Sequence, residues 1–359
     1  MYRATEAALF GAALLLLNTL IGCDKHDAAP AEPPKPKPTV AASALPSTAP
    51  GTIPDPLDPH RPMKVDDAPR AQPGSAGWVT ARPGFQSSLS PAQRGGIEPC
   101  ARQAVDTSAF DDWAAVSGGK FIAPRGLSLD ASGGFDLIIH LLGDEPIRRE
   151  LIASQQPFAL YALTVGQNQG YAPLFTGTQF QAAIVAGVEQ ALSKRLGKPA
   201  HARHLALSAW SAGFVGIEAA LAQPAGKDID AVILIDGLHA PRNNDLAFKA
   251  QMKPFVDFAA LAARGERAFF ISHSAIDPPD FASTTECAHY LISTLGGKPR
   301  PVRREDPFGL ELVEFYRKGE FQVRGYAGND RADHCAQLAA LRDAFSALGA
   351  RWKAQRLSR

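Results

Sequence analysis

The stretch Leu205-Ala206-Leu207-Ser208-Ala209-Trp210-Ser211-Ala212-Gly213 decides how the rest of this chain is read. Its first part, 204–209, has the apolar content of a buried strand, and 213–222 continues as an apolar helix. Between them lies a small-x-Ser-x-Gly turn. A strand that reverses so sharply into a helix needs small residues two before and two after the serine, because larger side chains would collide, and Ala209 and Gly213 meet that demand. Such a turn lifts the Ser211 hydroxyl above the sheet edge and aims the Ala212 N–H and the positive helix end at the same space. The plainer alternative, with the same local sequence, is that Ser211 only caps the helix.

Outward from this turn, strands alternate with helices. The sequence predicts early strands at 119–124 and 126–129, paired as a hairpin, and further strands at 135–142, 158–165, 230–235, 268–272 and 321–325. Helices are expected at 148–154, 179–196, 284–295 and 332–348, the last with Leu338, Leu341, Phe345 and Leu348 on one face. This order implies an α/β fold, a mostly parallel sheet with helices on both faces. The segments 242–254 and 278–285, of ordinary composition, are candidates for shaping a pocket mouth.

The turn at Ser211 resembles the nucleophile elbow of the α/β-hydrolase family, with Ala209 where the family usually carries its first glycine. The resemblance covers roughly 119–351 and implies an esterase- or lipase-like serine hydrolase that needs no cofactor. Serine is a poor nucleophile unless a base takes its proton. The family order of Ser, acid, His implies His334, which lies between the last strand and the last helix. The implied acid is Asp236, directly at a strand end, with Asp277 as the alternative. The segment His140-Leu141-Leu142-Gly143-Asp144 is similar to the family's oxyanion loop, although leucines stand where glycines are common, so a backbone donor is expected near Gly143 together with the Ala212 N–H. His140, Trp210, His239 and Tyr171 complete the expected pocket, and 166–170 is either a pocket wall or a plain turn. His140, His239, His273 and His334 all fall at the same sheet edge, which raises a metal hydrolase as a rival; without an HExxH motif or a tight Asp/His set, no metal is expected. The expected substrate is a small-molecule or cell-surface ester, with a peptidase or amidase using the same triad, or a non-catalytic binding lipoprotein, as alternatives.

The N-terminal part reads differently. Arg3 precedes an apolar run from Ala7 to Gly22, shorter than a comfortable membrane span and of signal-peptide length. It ends in Leu20-Ile21-Gly22-Cys23, which resembles a bacterial lipobox and implies cleavage before Cys23 and its acylation, palmitate among the chains. Fifteen of the 29 prolines then lie between Pro30 and Pro91, too few apolar residues accompanying them to offset the cost of ordering the chain. Three segments follow: a signal peptide at 1–22, a disordered tether at 23–95 and an α/β-hydrolase-like domain at 96–359. The expected location is the bacterial cell envelope, at the periplasmic face or the outer membrane. Charge is balanced, with 37 Lys+Arg against 36 Asp+Glu, so nothing points to nucleic acid. An exported chain permits a disulfide among Cys100, Cys287 and Cys335, and the sequence leaves the pair open.

Overall fold

The structure, a computed structural model, describes residues 106–165, 170–305, 310–328 and 331–358. The expected signal peptide and tether, Cys23, Cys100 and most of the 166–170 loop lie outside the described residues. In chain order the elements are β1 (Ala114–Val116), β2 (Gly119–Ile122), β3 (Gly134–Leu141), α1 (Asp144–Ser154), β4 (Ala159–Leu163), α2 (Tyr171–Phe175), α3 (Thr178–Leu196) and β5 (His201–Trp210). A 3₁₀ turn, Ser211–Gly213, leads into α4 (Phe214–Leu221), followed by β6 (Ala231–Ile235), β7 (Ala240–Pro241), α5 (Asp245–Ala263), β8 (Ala268–His273), β9 (Phe281–Ala282) and α6 (Thr284–Thr294). The chain closes with β10 (Arg300–Glu305), β11 (Glu311–Lys318), β12 (Phe321–Tyr326), α7 (Arg331–Ala336) and α8 (Ala340–Leu357).

Among the described residues, ten strands form one sheet in the order β1-β2-β4-β3-β5-β6-β8-β12-β11-β10. The six from β4 to β12 run parallel, while β1, β2 and β11, β10 add antiparallel edges. This is the expected α/β fold, a mostly parallel sheet with helices on both faces, whose second strand is antiparallel. Strand alternation divides the core between two faces. On β5 and β6, Leu205, Leu207, Val232 and Leu234 pack toward Ile184 and Val188 of α3, Ile217 of α4 and Phe255 of α5. Ala206, Ala231, Ile233 and Ile235 pack on the opposite face with Ile147 of α1 and Leu341, Phe345, Leu348 and Trp352 of α8.

Several boundaries differ from the sequence reading. No strand forms at 126–129; β2 instead pairs with β1 and with β4. Of the segment 242–254, residues 245–254 form the first half of α5, in which Asn244 caps the Ala247 N–H and Pro254 sits inside the helix. The strands β10 and β11 were not foreseen. Cys335 is disulfide-bonded while Cys287 is buried and free, so these two are not each other's partners. Among the described residues no helix is long and apolar enough to cross a membrane.

Candidate active site

Parallel β5 and β6 end side by side, and Ser211 and Asp236 follow them. Both leave their strands with positive φ, 51° and 42°, a conformation that costs a non-glycine residue energy and persists only where the surroundings impose it. The surroundings here are backbone. A Cβ on Gly213 would come within 2.4 Å of the Leu141 carbonyl oxygen, and one on Gly237 within 2.3 Å of the Ser211 carbonyl oxygen. The turn at Ser211 is therefore clamped between the end of β3 and the residue after Asp236. Gly213 is small because of β3, a cause that local sequence alone does not reveal.

Asp236 is fully buried and every contact orients it. Its Oδ1 accepts from the Ser274 N–H and the Thr284 hydroxyl, both at 2.8 Å, and its Oδ2 lies 2.7 Å from His334 Nδ1. Burial pushes this carboxyl upward, but the His334, Thr284 and Ser274 contacts outweigh it and hold the group below the usual carboxylate range. His334, half-buried on α7, is fixed from a second side by Trp210: the two rings lie 4.9 Å apart, and the indole N–H donates to the His334 carbonyl at 3.2 Å. Ser211, the residue after Trp210, thus shares one corner of the sheet with the Asp236–His334 pair. Asp277 lies elsewhere, in an exposed ion pair with Arg242, which also holds Glu286 at 2.9 Å. The turn after β8 brings Asp277 to Arg242, so the alternative acid pairs there and not with His334.

The segment expected to supply an oxyanion donor is shaped by His140. This residue is wholly buried in β3, so it lines no pocket as the sequence reading expected. Its Nε2 lies 2.8 Å from the Leu142 carbonyl, which only accepts, so Nε2 carries the proton and Nδ1 accepts from the Ser208 hydroxyl at 3.0 Å. Burial pushes its pKa down to about 3, so it remains neutral. The anchored carbonyl belongs to a left-handed pair, Leu142 at φ 72° and Gly143 at φ 101°. The Leu142 N–H is spent on the Leu163 carbonyl, whereas the Gly143 N–H makes only a long 3.2 Å bond to Thr164 Oγ1. Ala212, second in its 3₁₀ turn, has an N–H without a partner inside that helix.

Tyr171 is also buried rather than exposed to a pocket, its hydroxyl accepting from the Val165 N–H at 3.2 Å. His239 is half-buried. Its Nδ1 lies 3.0 Å from the Ala282 carbonyl, its ring meets Phe214 and Phe281, and burial drives its pKa down while Asp236 and His334 act on it from nearby. The sequence reading missed Thr284 and Ser274. Thr284 had a signal: Ser283-Thr284-Thr285-Glu286 is a capping box, formed in the structure, which marks α6 as starting at this point. It also missed a second cluster, His273, His289 and Glu314, whose donor atoms lie within 4.8 Å of one another.

No protein-family model matches the chain, and no curated protein matches it. Solved structures similar to it include an uncharacterised protein from Capnocytophaga ochracea, 10% identical with a TM-score of 0.40, where the likeness covers 66% of this chain and 64% of that one. A truncated carbohydrate esterase from gut microbiota is 11% identical with a TM-score of 0.40, over 71% of this chain and 100% of that one. Ferric enterobactin esterase from Salmonella typhimurium is 11% identical with a TM-score of 0.40, over 73% and 62%. Likeness at this level assigns no activity, and the site's own geometry carries the functional reading.

Proposed function

We propose that this protein is a serine hydrolase that cleaves an ester through Ser211, His334 and Asp236. The observation that carries the reading is the 2.7 Å contact between His334 Nδ1 and a buried, triply held Asp236, on a ring packed beside the strained Ser211 turn. Asp236 only accepts, so Nδ1 carries the proton and Nε2 is left bare, the state a general base needs. Ser211 Oγ attacks the acyl carbonyl and His334 Nε2 takes its proton. The developing oxyanion is met by the Ala212 N–H and by the Gly143 N–H, which exchanges its long bond to Thr164 for the charged oxygen. His334 then protonates the leaving alcohol, and water repeats the sequence on the acyl-enzyme. The aromatic cluster of Phe214 and Phe281 on His239, within electrostatic reach of Asp236 and His334, supports an uncharged acyl or aryl group over an ionic one.

The lipobox-like Leu20-Ile21-Gly22-Cys23 and the proline-rich stretch behind it support a further part of the reading: a lipid anchor on Cys23 holds the hydrolase at the cell envelope. Labelling with a fluorophosphonate tests the chemistry. The expected result is one adduct per chain at Ser211, insensitive to chelators, with p-nitrophenyl acetate hydrolysis lost in Ser211→Ala. Hydrolysis that survives in that variant refutes the assignment, as does the absence of labelling in folded wild-type protein.

A further inference from the structure

One strand away from Asp236, three elements bring together side chains that the proposed reaction does not use. His273 ends β8, His289 lies on α6 and Glu314 on β11. His273 Nε2 and His289 Nε2 converge on the same carboxylate oxygen, Glu314 Oε1, at 2.9 and 2.7 Å. His273 is 3% and Glu314 7% exposed, and His289 forms the rim. Space for the convergence is kept by Gly325, where a Cβ would come within 2.5 Å of the His273 ring and 2.4 Å of the Glu314 side chain.

The proton inventory makes this cluster unusual. Thr285 has one hydroxyl proton, and it goes to the Ser274 carbonyl at 2.7 Å. Thr285 Oγ1 therefore accepts from His273 Nδ1 at 2.9 Å, so Nδ1 carries a proton. In a neutral imidazole, Nε2 is then a bare lone pair facing a carboxylate oxygen, which is repulsive unless a cation lies between them. His273 Nε2 is buried 2.9 Å from Glu314 Oε1 yet makes no properly directed hydrogen bond, so the polar atom is left without a partner of good geometry. A hydroxyl or carbonyl holding the far N–H of a histidine is the outer-shell arrangement of a metal ligand.

We propose that His273 Nε2, His289 Nε2 and Glu314 Oε1 form a binding site for a divalent first-row transition metal, with zinc the best fit. Two imidazoles and one carboxylate are a zinc donor set, completed by a water in the fourth position. Zinc bonds to nitrogen and oxygen of about 2.0–2.2 Å put tetrahedral donors roughly 3.4 Å apart, so the cluster opens by about half an ångström to admit the ion. The ion joins β8, α6 and β11; Ser274 follows the ligand His273, and Thr284 precedes Thr285, which holds the His273 ring, and both donate to Asp236. Its role is that of a clamp and does not depend on the Ser211 chemistry.

The test loads full-length chain with Zn²⁺ or Co²⁺, removes excess by gel filtration and measures metal per chain. The expected result is about one equivalent, a tetrahedral Co²⁺ visible spectrum and a higher melting temperature. His289→Ala lowers the retained metal at least tenfold, and Ser211→Ala retains it in full. X-ray absorption at the zinc edge of wild-type protein provides a readout that needs no variant, and it shows imidazole scattering from two ligands. Folded wild-type protein that retains neither ion overturns the proposal, as does full retention in His289→Ala or a zinc shell without imidazole. None of these readouts needs the serine to be active, so failure here leaves the hydrolase reading untouched, and the reverse holds.

Discussion

At the scale of single residues, the site depends on groups that cannot do anything else. Asp236 receives three donors on two oxygens and has no exposed surface to relax into. Asp236→Asn places an amide where the His334 Nδ1–H must be accepted. If the amide oxygen takes the Oδ1 contacts with Ser274 and Thr284, its NH₂ faces Nδ1 and favours the wrong tautomer, leaving the base protonated on the nitrogen that should receive the serine proton. The expected loss in kcat is about 10³–10⁴-fold with KM nearly unchanged, since substrate binding does not use this carboxylate. Steady-state kinetics on p-nitrophenyl acetate checks it, and a loss below tenfold would leave Asp236 as a structural group only. This acid was legible in the sequence because it sits directly on a strand end, where the backbone is rigid. Asp277, four positions past β8, is captured by Arg242. His140 was misread for a physical reason: a polar residue near a loop looks like lining, but position 140 precedes the strand end and alternation turns it into the sheet, where it serves the Leu142 carbonyl.

At the scale of elements, α4 follows the Ser211 turn and carries a titration. Glu218 on α4 is largely buried, which pushes its pKa up to about 7 against a partial offset from Gln251 of α5. A carboxyl whose folded pKa exceeds its unfolded value of about 4.5 binds its proton more tightly in the native state, so its stabilising contribution is full below about 4.5 and is lost as pH rises through 7. Because part of the group remains in solvent, screening reduces the effect to roughly 1 kcal/mol. Glu218→Gln is expected to flatten the decline in stability between pH 4.5 and 8 and to be the more stable protein at pH 8. Urea unfolding of both proteins across that range checks it, and parallel curves would contradict it. The α4–α5 contact behind this prediction was only half legible. Phe248, Met252, Phe255 and Ala259 recur at helical spacing, yet Pro254 reads as a helix breaker, and the packing of that apolar face against the sheet overrides the local signal. The strands β10 and β11 escaped for a different reason. They are antiparallel edge strands dense in Arg and Glu, so they lack the continuous apolar run that revealed β3 and β6, and Glu314 and its histidine cluster went unseen with them.

At the scale of the whole molecule, the two edges of the parallel sheet are specialised. The carboxyl edge holds the strained residues Leu142, Ser211 and Asp236 and the candidate active site, as expected of an open α/β sheet. The amino edge holds a dense ionic and aromatic anchor. Buried Asp136 at the start of β3 contacts Arg203 at 2.6 Å, His204 at 2.8 Å and, from the end of α8, Arg356 at 3.0 Å. Trp352 of α8 stacks on His204 at 5.1 Å and meets Phe158 edge-on at 5.1 Å with no exposed surface. Strain at one edge is thus offset by packing at the other. From His204 to Ser211 the strand rises about 20 Å, too far for a lost side chain to shift the triad directly. Trp352→Ala should therefore separate stability from chemistry. Removing the indole leaves a cavity between α8 and the sheet at a cost of about 3–5 kcal/mol, a large share of the stability of such a domain. Chemical denaturation should show a lower midpoint with an unchanged slope, and at low temperature, where the variant remains folded, fluorophosphonate labelling of Ser211 should proceed at the wild-type rate. A fall in labelling rate in the folded variant would mean that the amino edge sets the geometry of the site as well as its stability, and that the division of labour across the sheet is false.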